Sequence, residues 1–180
     1  MKYLVLGLLF LSSALLFSQN DSLYVILVSY DGFRWDYSER DLTPNLDKMK
    51  NDGVHAFSLQ PCFPTKTFPN HYSLITGLYP ENHGIIFNTF TNPFTKEKYS
   101  LKDANAVRDG KWYMGESFWE TAERNGIITA SYFWPGSELN EDSRRPTYFK
   151  HYNHNQTYLS RVDSIISWLS LPVEKRPRFI

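Results

Sequence analysis

Cysteine is nearly absent from this chain, and its scarcity limits how the fold can be held together. Cys62 is the single cysteine among 180 residues, so the chain cannot form a disulfide within itself. Cys62 is therefore either a small buried apolar side chain or a thiol whose partner lies outside this chain. Net charge is absent as well, because 19 basic residues balance 19 acidic ones. We therefore expect no nucleic-acid-binding surface, and a phosphate substrate would need a local site.

Several local patterns are also missing. The sequence has no internal repeat and no low-complexity segment. It contains no His-x-x-x-His or Glu-x-x-His pair, so local spacing alone assembles no zinc site. Aromatic residues, in contrast, make up 17% of the chain, far more than a disordered protein carries. This length and composition suit one folded domain with a sizeable core.

The first residues have the layout of a secretory signal peptide. Lys2 precedes an apolar run over residues 3–17, and polar residues follow from Ser18. The alternative is a membrane anchor, but the run is shorter than the roughly 20 residues of a spanning helix. We therefore predict a signal peptide over residues 1–19, export from the cytoplasm, and no stable membrane span.

Strand and helix patterns alternate along the rest of the chain. A continuous apolar run over residues 23–29 predicts a strand buried on both faces, and residues 127–133 predict another. Helices are predicted from Thr43 to Gly53, from Thr67 to Gly77, from Ser117 to Asn125 and from Tyr158 to Leu169. This alternation is typical of an α/β fold, with a mostly parallel sheet and helices on both faces.

The last three residues, 178–180, look like the opening of a further strand. A strand that only begins leaves the sheet incomplete. We therefore expect residues 20–180 to be the N-terminal part of a larger, truncated catalytic domain.

Two residues stand where an α/β protein places its chemistry. Asp31 follows the first predicted strand, and ligands in such folds bind beyond the carboxyl ends of the strands. Thr67 lies at the start of a helix, where free N–H groups favour an anion such as phosphate. Taken singly, each has a plainer interpretation: Asp31 as part of a turn with Gly32, and Thr67 as an ordinary helix cap.

Three segments, taken together, favour the chemical roles of Asp31 and Thr67 over these plainer interpretations. Residues 28–34 read VSYDGFR, residues 64–71 read PTKTFPNH, and residues 76–86 read TGLYPENHGII. In this order and spacing they closely resemble the nucleotide pyrophosphatase/phosphodiesterase family of the alkaline phosphatase superfamily. The likeness continues through FWPGS at residues 133–137 and covers nearly all of the chain after the apolar leader.

The resemblance implies a role for five residues. Asp31 matches a zinc-ligand aspartate, and Thr67 matches the threonine that binds one zinc ion and attacks phosphorus. Asn88 matches an asparagine that donates to a phosphate oxygen. Phe68 matches an aromatic residue that stacks on the nucleobase, and Tyr152 matches its facing tyrosine, although Tyr152 fits packing equally well.

The implied function is hydrolysis of nucleotide phosphodiester or pyrophosphate bonds through a phosphothreonyl intermediate. Two zinc ions would clamp the displacement at phosphorus, with their remaining ligands expected after residue 180. With only Asp31 and Thr67 of that ligand set, the 180-residue chain alone should be inactive. Two alternatives stay open: a phosphodiesterase or phosphatase acting on lipid, choline or monoester substrates, and an exported binding module without activity.

Sulfatases, from the same superfamily, offer a rival interpretation. Residues 62–66 read CFPTK, close to the sulfatase motif Cys-x-Pro-x-Arg, whose cysteine becomes the nucleophile. The last position is Lys66 instead of arginine, and Cys62 lies five residues before the position that the register gives to the nucleophile. That position is Thr67, so we interpret Cys62 as incidental.

Overall fold

The computed structural model describes residues 23–180, so the predicted signal peptide lies outside the described residues. The helices longer than one 3-10 turn are α1 (Pro44–Asp52), α2 (Thr67–Thr76), α3 (Pro80–His83), α4 (Ala104–Arg108), α5 (Phe118–Arg124) and α6 (Tyr158–Leu169). The strands are β1 (Thr89–Thr91), β2 (Lys98–Ser100), β3 (Ala130–Tyr132) and β4 (Tyr148–Lys150). Short 3-10 turns occupy Tyr37–Arg40, Gly110–Trp112 and Asp142–Arg144. The predicted long helices and the strand within residues 127–133 are therefore present.

A parallel sheet organises the molecule. β3 pairs with β4 in parallel, with Ala130 opposite Tyr148. On the other side of β3, Thr129 bridges to Phe179, and Phe179 bridges in turn to Val25, both in parallel. The carboxyl ends of all four segments therefore meet at one edge of the sheet, which is where α/β folds bind ligands. This arrangement confirms the prediction of an α/β fold with a parallel sheet.

The helices begin and end at residues suited to those positions. α5 begins at a capping box: the Ser117 hydroxyl accepts from the Glu120 N–H, and the Glu120 carboxylate accepts from the Ser117 N–H. α2 ends at Gly77, whose φ of 70° lies in the left-handed region that glycine adopts without a steric penalty. Gly77 N–H donates to the carbonyl of Ser73 and closes the last turn.

A small antiparallel hairpin was not predicted from the sequence. β1 pairs with β2, with Phe90 opposite Tyr99. Between them the Asn92 side chain accepts hydrogen bonds from the N–H groups of Phe94 and Thr95. An Asn-Pro pair between short alternating segments is a recognised turn signal, so the sequence did carry this feature.

The core is an aromatic cluster packed between α2, the hairpin and α5. Tyr72 and Ile75 contribute the inner face of α2, and each is 1% exposed. The other buried members are Ile85, Tyr99, Ala106, Trp112, Tyr113, Trp119 and Leu139. The Tyr99 and Tyr113 hydroxyls hydrogen-bond to each other at 2.7 Å, so these buried polar groups are satisfied.

The first apolar segment corrects one expectation. Residues 23–29 were predicted to be buried on both faces, yet Leu23 is 70% exposed and Val28 is 60% exposed. The segment does pair with the sheet, since Val25 N–H donates to Arg178 O and Leu27 N–H donates to Ile180 O, both at 2.8 Å. Its faces are exposed because no described element covers both of them. Within residues 23–180, no helix has the length and apolarity required to cross a bilayer.

Candidate active site

Asp31 and Thr67 meet at the carboxyl edge of the sheet. The Thr67 hydroxyl donates a 2.9 Å hydrogen bond to Oδ2 of Asp31, although the two residues are 36 positions apart in the sequence. Asp31 follows the segment that pairs with residues 178–180, and Thr67 is the first residue of α2. The fold thus brings together the two residues for which the sequence predicted metal binding.

Thr67 is not a helix cap. The N-cap of α2 is Lys66, in extended conformation, and no side chain caps this helix. Pro69 lies at the third position, where the missing N–H removes a group that has no partner inside the helix. The ordinary-cap interpretation of Thr67 is therefore wrong, because its hydroxyl points to a carboxylate instead of its own backbone.

Asn88 lies beside the same helix terminus. Its Oδ1 accepts a 3.0 Å hydrogen bond from the backbone N–H of Phe68. Because an N–H needs an acceptor, this contact fixes which end of the amide is oxygen. The NH₂ group of Asn88 makes no hydrogen bond within residues 23–180 and remains able to donate. Asn88 thus lies at the first turn of α2, bonded to the residue that follows Thr67.

His71 connects the two sides of the site. Its Nδ1 lies 2.7 Å from the carbonyl oxygen of Thr67, and its Nε2 lies 2.8 Å from the hydroxyl of Ser29. A carbonyl only accepts, so Nδ1 carries the hydrogen, and in the neutral ring Nε2 accepts from Ser29. Trp134 packs edge-on against the ring, and its Nε1 donates to the His71 carbonyl at 3.0 Å. Both ring nitrogens of His71 therefore have hydrogen-bond partners within the protein.

The two predicted aromatic residues are not in contact with each other. Phe68 is partly buried and packs toward Tyr99, with ring centroids 6.3 Å apart. Tyr152 is 62% exposed and lies edge-on to Phe133 at 5.2 Å. Across residues 23–180 the two rings share no direct contact.

The donor atoms at the site fit part of a zinc site. A carboxylate and a hydroxyl oxygen at Asp31 and Thr67 are suitable ligands, but zinc sites usually have three or four protein ligands. No group of three or more His, Cys, Asp or Glu side chains that could hold a metal ion exists within residues 23–180. Asp31 and Thr67 could therefore supply two ligands of a larger set.

The phenols beneath the site remain protonated near neutral pH. Burial raises the pKa of Tyr72 to about 12 and raises the pKa of Tyr113 well above its ordinary value. These hydroxyls are unsuited to act as bases at neutral pH. Lys66 is the N-cap of α2, and its Nζ lies 5.5 Å from the centroid of the Phe87 ring. Cys62 is half-buried and its backbone N–H donates to Asn70, so it plays a part in the loop before α2.

The hydrogen bond between Ser29 and His71 was not predicted from the sequence. Thr67 and His71 are four residues apart, a spacing that places two side chains on one face of a helix. Ser29 lies two residues before Asp31. Helix spacing could therefore have predicted the contact between the His71 ring and Thr67. The contact between His71 and Ser29 depends on how the sheet packs against α2.

Comparison with known sequences finds a matching protein family and related enzymes. The sequence model described as "Type I phosphodiesterase / nucleotide pyrophosphatase" matches residues 25–180. The chain is 43% identical over 157 residues to an uncharacterized pyrophosphatase/phosphodiesterase of Schizosaccharomyces pombe, covering 87% of this chain and 32% of that protein. It is 44% identical over 158 residues to venom phosphodiesterase 2 of Crotalus adamanteus, covering 87% of this chain and 19% of that protein.

Solved structures agree. Murine ectonucleotide pyrophosphatase/phosphodiesterase 5, in an inactive form in complex with AMP, superposes with a TM-score of 0.80 at 34% identity, covering 88% of this chain and 42% of that one. The human counterpart gives a TM-score of 0.79 at 37% identity, covering 87% and 41%. The chain thus spans less than half the length of these relatives. Match, identity and superposition agree that the chain belongs to the type I phosphodiesterase/nucleotide pyrophosphatase family, within the alkaline phosphatase superfamily.

Proposed function

We propose that the full-length protein hydrolyses nucleotide phosphodiester or pyrophosphate bonds with Thr67 as the nucleophile. The observation that carries this proposal is the 2.9 Å hydrogen bond from the Thr67 hydroxyl to Asp31. A hydroxyl at the first residue of a helix faces the positive end of the helix dipole, where a phosphate group is favoured. Family membership and the AMP complex of the murine relative support a nucleotide substrate.

In this proposal Thr67, Asp31 and Asn88 divide the work. Asp31 accepts the Thr67 hydrogen and so aims the hydroxyl oxygen. That oxygen bonds to phosphorus as the bond to the leaving oxygen breaks, which gives a phosphothreonyl diester that water then hydrolyses. The Asn88 NH₂ group donates to the non-bridging oxygens, where negative charge builds up.

We further propose that two zinc ions serve this site, with Asp31 and Thr67 among their ligands and the remaining ligands after residue 180. Zinc would lower the pKa of the hydroxyl and stabilise the leaving oxygen. It follows that residues 20–180 alone bind zinc poorly and are inactive.

Phe68 and Tyr152 are proposed to hold the nucleobase between their rings. Stacking on an aromatic ring is worth about 1–3 kcal/mol per base and tolerates different bases. Phe68 is only partly buried and Tyr152 is 62% exposed, so both rings are accessible to a flat ligand. If the double variant F68A/Y152A kept its KM for a nucleotide diester, this assignment would be lost.

We also propose that residues 1–19 direct export. The support is the apolar run after Lys2, with polar residues from Ser18 onward. N-terminal sequencing of the mature protein should begin near residue 20, whereas an intact Met1 would contradict the proposal.

The central test is diester hydrolysis by the full-length protein with Thr67→Ala and a matched control. Thr65→Ala removes a hydroxyl two residues away that donates to the Cys62 carbonyl at 3.0 Å and does not contact Asp31. We expect Thr67→Ala to lower kcat on an aryl nucleotide diester by on the order of 10⁴-fold or more, because the nucleophile is lost. Thr65→Ala should stay within about threefold of wild type.

The same assay tests the metal and the substrate class. EDTA should abolish turnover and added zinc should restore it. Faster turnover of an aryl phosphate monoester would indicate a phosphatase. No turnover of either substrate would favour a lipid substrate or a binding module.

A further inference from the structure

The buried histidines of α2 and α3 each hydrogen-bond to a serine hydroxyl, but the two bonds join different parts of the fold. His71 and His83 are 8% and 0% exposed, and each ring nitrogen Nε2 pairs with a serine hydroxyl. His83 pairs with Ser73 at 3.0 Å, which joins α3 to α2 inside the core. His71 pairs with Ser29, which joins α2 to the sheet segment that carries Asp31.

The position of Ser29 gives the second bond its importance. Ser29 lies two residues before Asp31, and the Nδ1 of His71 bonds to the carbonyl of Thr67 itself. Within residues 23–180, the only hydrogen bonds between residues 29–31 and α2 are Ser29 to His71 and Thr67 to Asp31. The segment around Asp31 is otherwise exposed, so packing holds it weakly.

From this geometry we propose that His71 and Ser29 are positioning residues that set the separation between Asp31 and Thr67. We call the three groups, the Ser29 hydroxyl, the His71 imidazole and the Thr67 carbonyl, the histidine clamp. The inference rests on the proposed function, in which Asp31 and Thr67 act together. No atom of the clamp touches the substrate; the clamp acts through the Thr67 hydroxyl, which attacks phosphorus, and through Asp31, which aims that hydroxyl.

The arrangement around His71 makes it a fixed reference point. Trp134 donates to the His71 carbonyl and packs against the ring, so the imidazole is held from the side of β3 as well. A rigid ring held between two backbone segments fixes the distance between those segments. Loss of the Ser29 hydroxyl leaves the Asp31 segment held to α2 by its bond to Thr67 alone.

The kinetic test uses the full-length protein and pairs Ser29→Ala with Ser73→Ala. Each variant removes one serine hydroxyl from one buried histidine. We expect Ser29→Ala to lower kcat on the aryl nucleotide diester by about 10- to 100-fold, with KM changed less than about twofold, because misplacement of reacting groups slows the chemical step. Ser73→Ala should keep kcat within about twofold. Ser29→Thr, which retains the hydroxyl, should recover most of the wild-type kcat.

A second pair of variants tests the connection through the ring. The His71→Asn variant places an amide near the site of Nδ1, but its side chain does not reach Ser29. His71→Asn should therefore show the same loss of kcat as Ser29→Ala, and the double variant should be no worse than either alone. Additive losses, equal losses in Ser29→Ala and Ser73→Ala, or a loss confined to KM would each overturn the clamp.

A crystallographic comparison decides the question without turnover. In crystals of the full-length Ser29→Ala variant, the distance from Thr67 Oγ1 to Asp31 Oδ2 should differ from that in wild-type crystals of the same form by more than about 0.5 Å. In Ser73→Ala it should not. An unchanged distance in Ser29→Ala would refute the clamp even if the protein hydrolysed no diester, so the clamp and the proposed function can fail separately.

Discussion

The inner face of α2 and the apolar face of α6 look alike in sequence but differ in the structure. α2 buries Tyr72 and Ile75 in the aromatic cluster, where each is 1% exposed. α6 has a clear apolar stripe at helical spacing, yet Val162 is 50% exposed and Ile166 is 55% exposed. Amphipathic spacing therefore predicts that a helix forms and which face is apolar, but burial depends on what packs against that face.

The largest expected effect compares one isoleucine from each helix. Ile75→Ala should lower the free energy of unfolding by about 2–5 kcal/mol, because a buried side chain is lost and a cavity remains. Ile166→Ala should cost less than about 1 kcal/mol, because more than half of that side chain is exposed. Chemical denaturation of the 180-residue chain measures both. Similar losses would show that α6 is covered by a partner and would break the contrast.

A smaller effect is expected at the helix caps. Ser117→Ala removes the capping box of α5 and should lower the free energy of unfolding by about 1 kcal/mol. Thr43→Ala is the matched control, since Thr43 is the N-cap of α1 but its hydroxyl donates to Asp47 instead of capping the backbone. Thermal unfolding of the two variants should separate them, and equal shifts would mean that the cap geometry has no bearing on stability.

The smallest effect concerns pH and the core histidine. Burial lowers the pKa of His83 below its ordinary 6.5, because the buried ring is more easily kept neutral. The unfolded chain therefore binds more protons than the folded one below about pH 6.5, and stability falls as pH decreases through that range. His83→Gln should flatten this part of the stability-against-pH curve.

Much of the site could be predicted because its residues lie in contiguous motifs. Asp31 after a strand and Thr67 at a helix start are local features, and both lie at the predicted edge of the sheet. Asn88 was identified through the family resemblance, and it hydrogen-bonds to the backbone of Phe68, the residue after Thr67. Local features alone favoured plainer interpretations of Asp31 and Thr67, and the roles predicted for all three residues came from the family resemblance.

The rest depends on packing between distant segments. The bond between Ser29 and His71 joins residues 42 positions apart, and neither partner stands out in the sequence. The apolar run of residues 23–29 was expected to be buried on both faces, but several of its side chains are exposed. An apolar composition shows that a strand can be buried, but it does not show whether other elements cover it. Tyr152 was placed by resemblance alone, and its separation from Phe68 is a matter of tertiary structure.

The parallel pairing of Val25 with Phe179 also has a consequence for the order of assembly during synthesis. The segment that leads to Asp31 leaves the ribosome about 150 residues before the strand beside which it pairs. At about 5–20 residues per second, that interval is roughly 8–30 s. During that time α2, the hairpin and the aromatic cluster can form without residues 25–27, because the buried members of the cluster all lie between residues 72 and 139. Thr67 is therefore expected to be in place on its helix before Asp31 reaches it, because the segment that leads to Asp31 pairs with the sheet only after residues 178–180 have emerged.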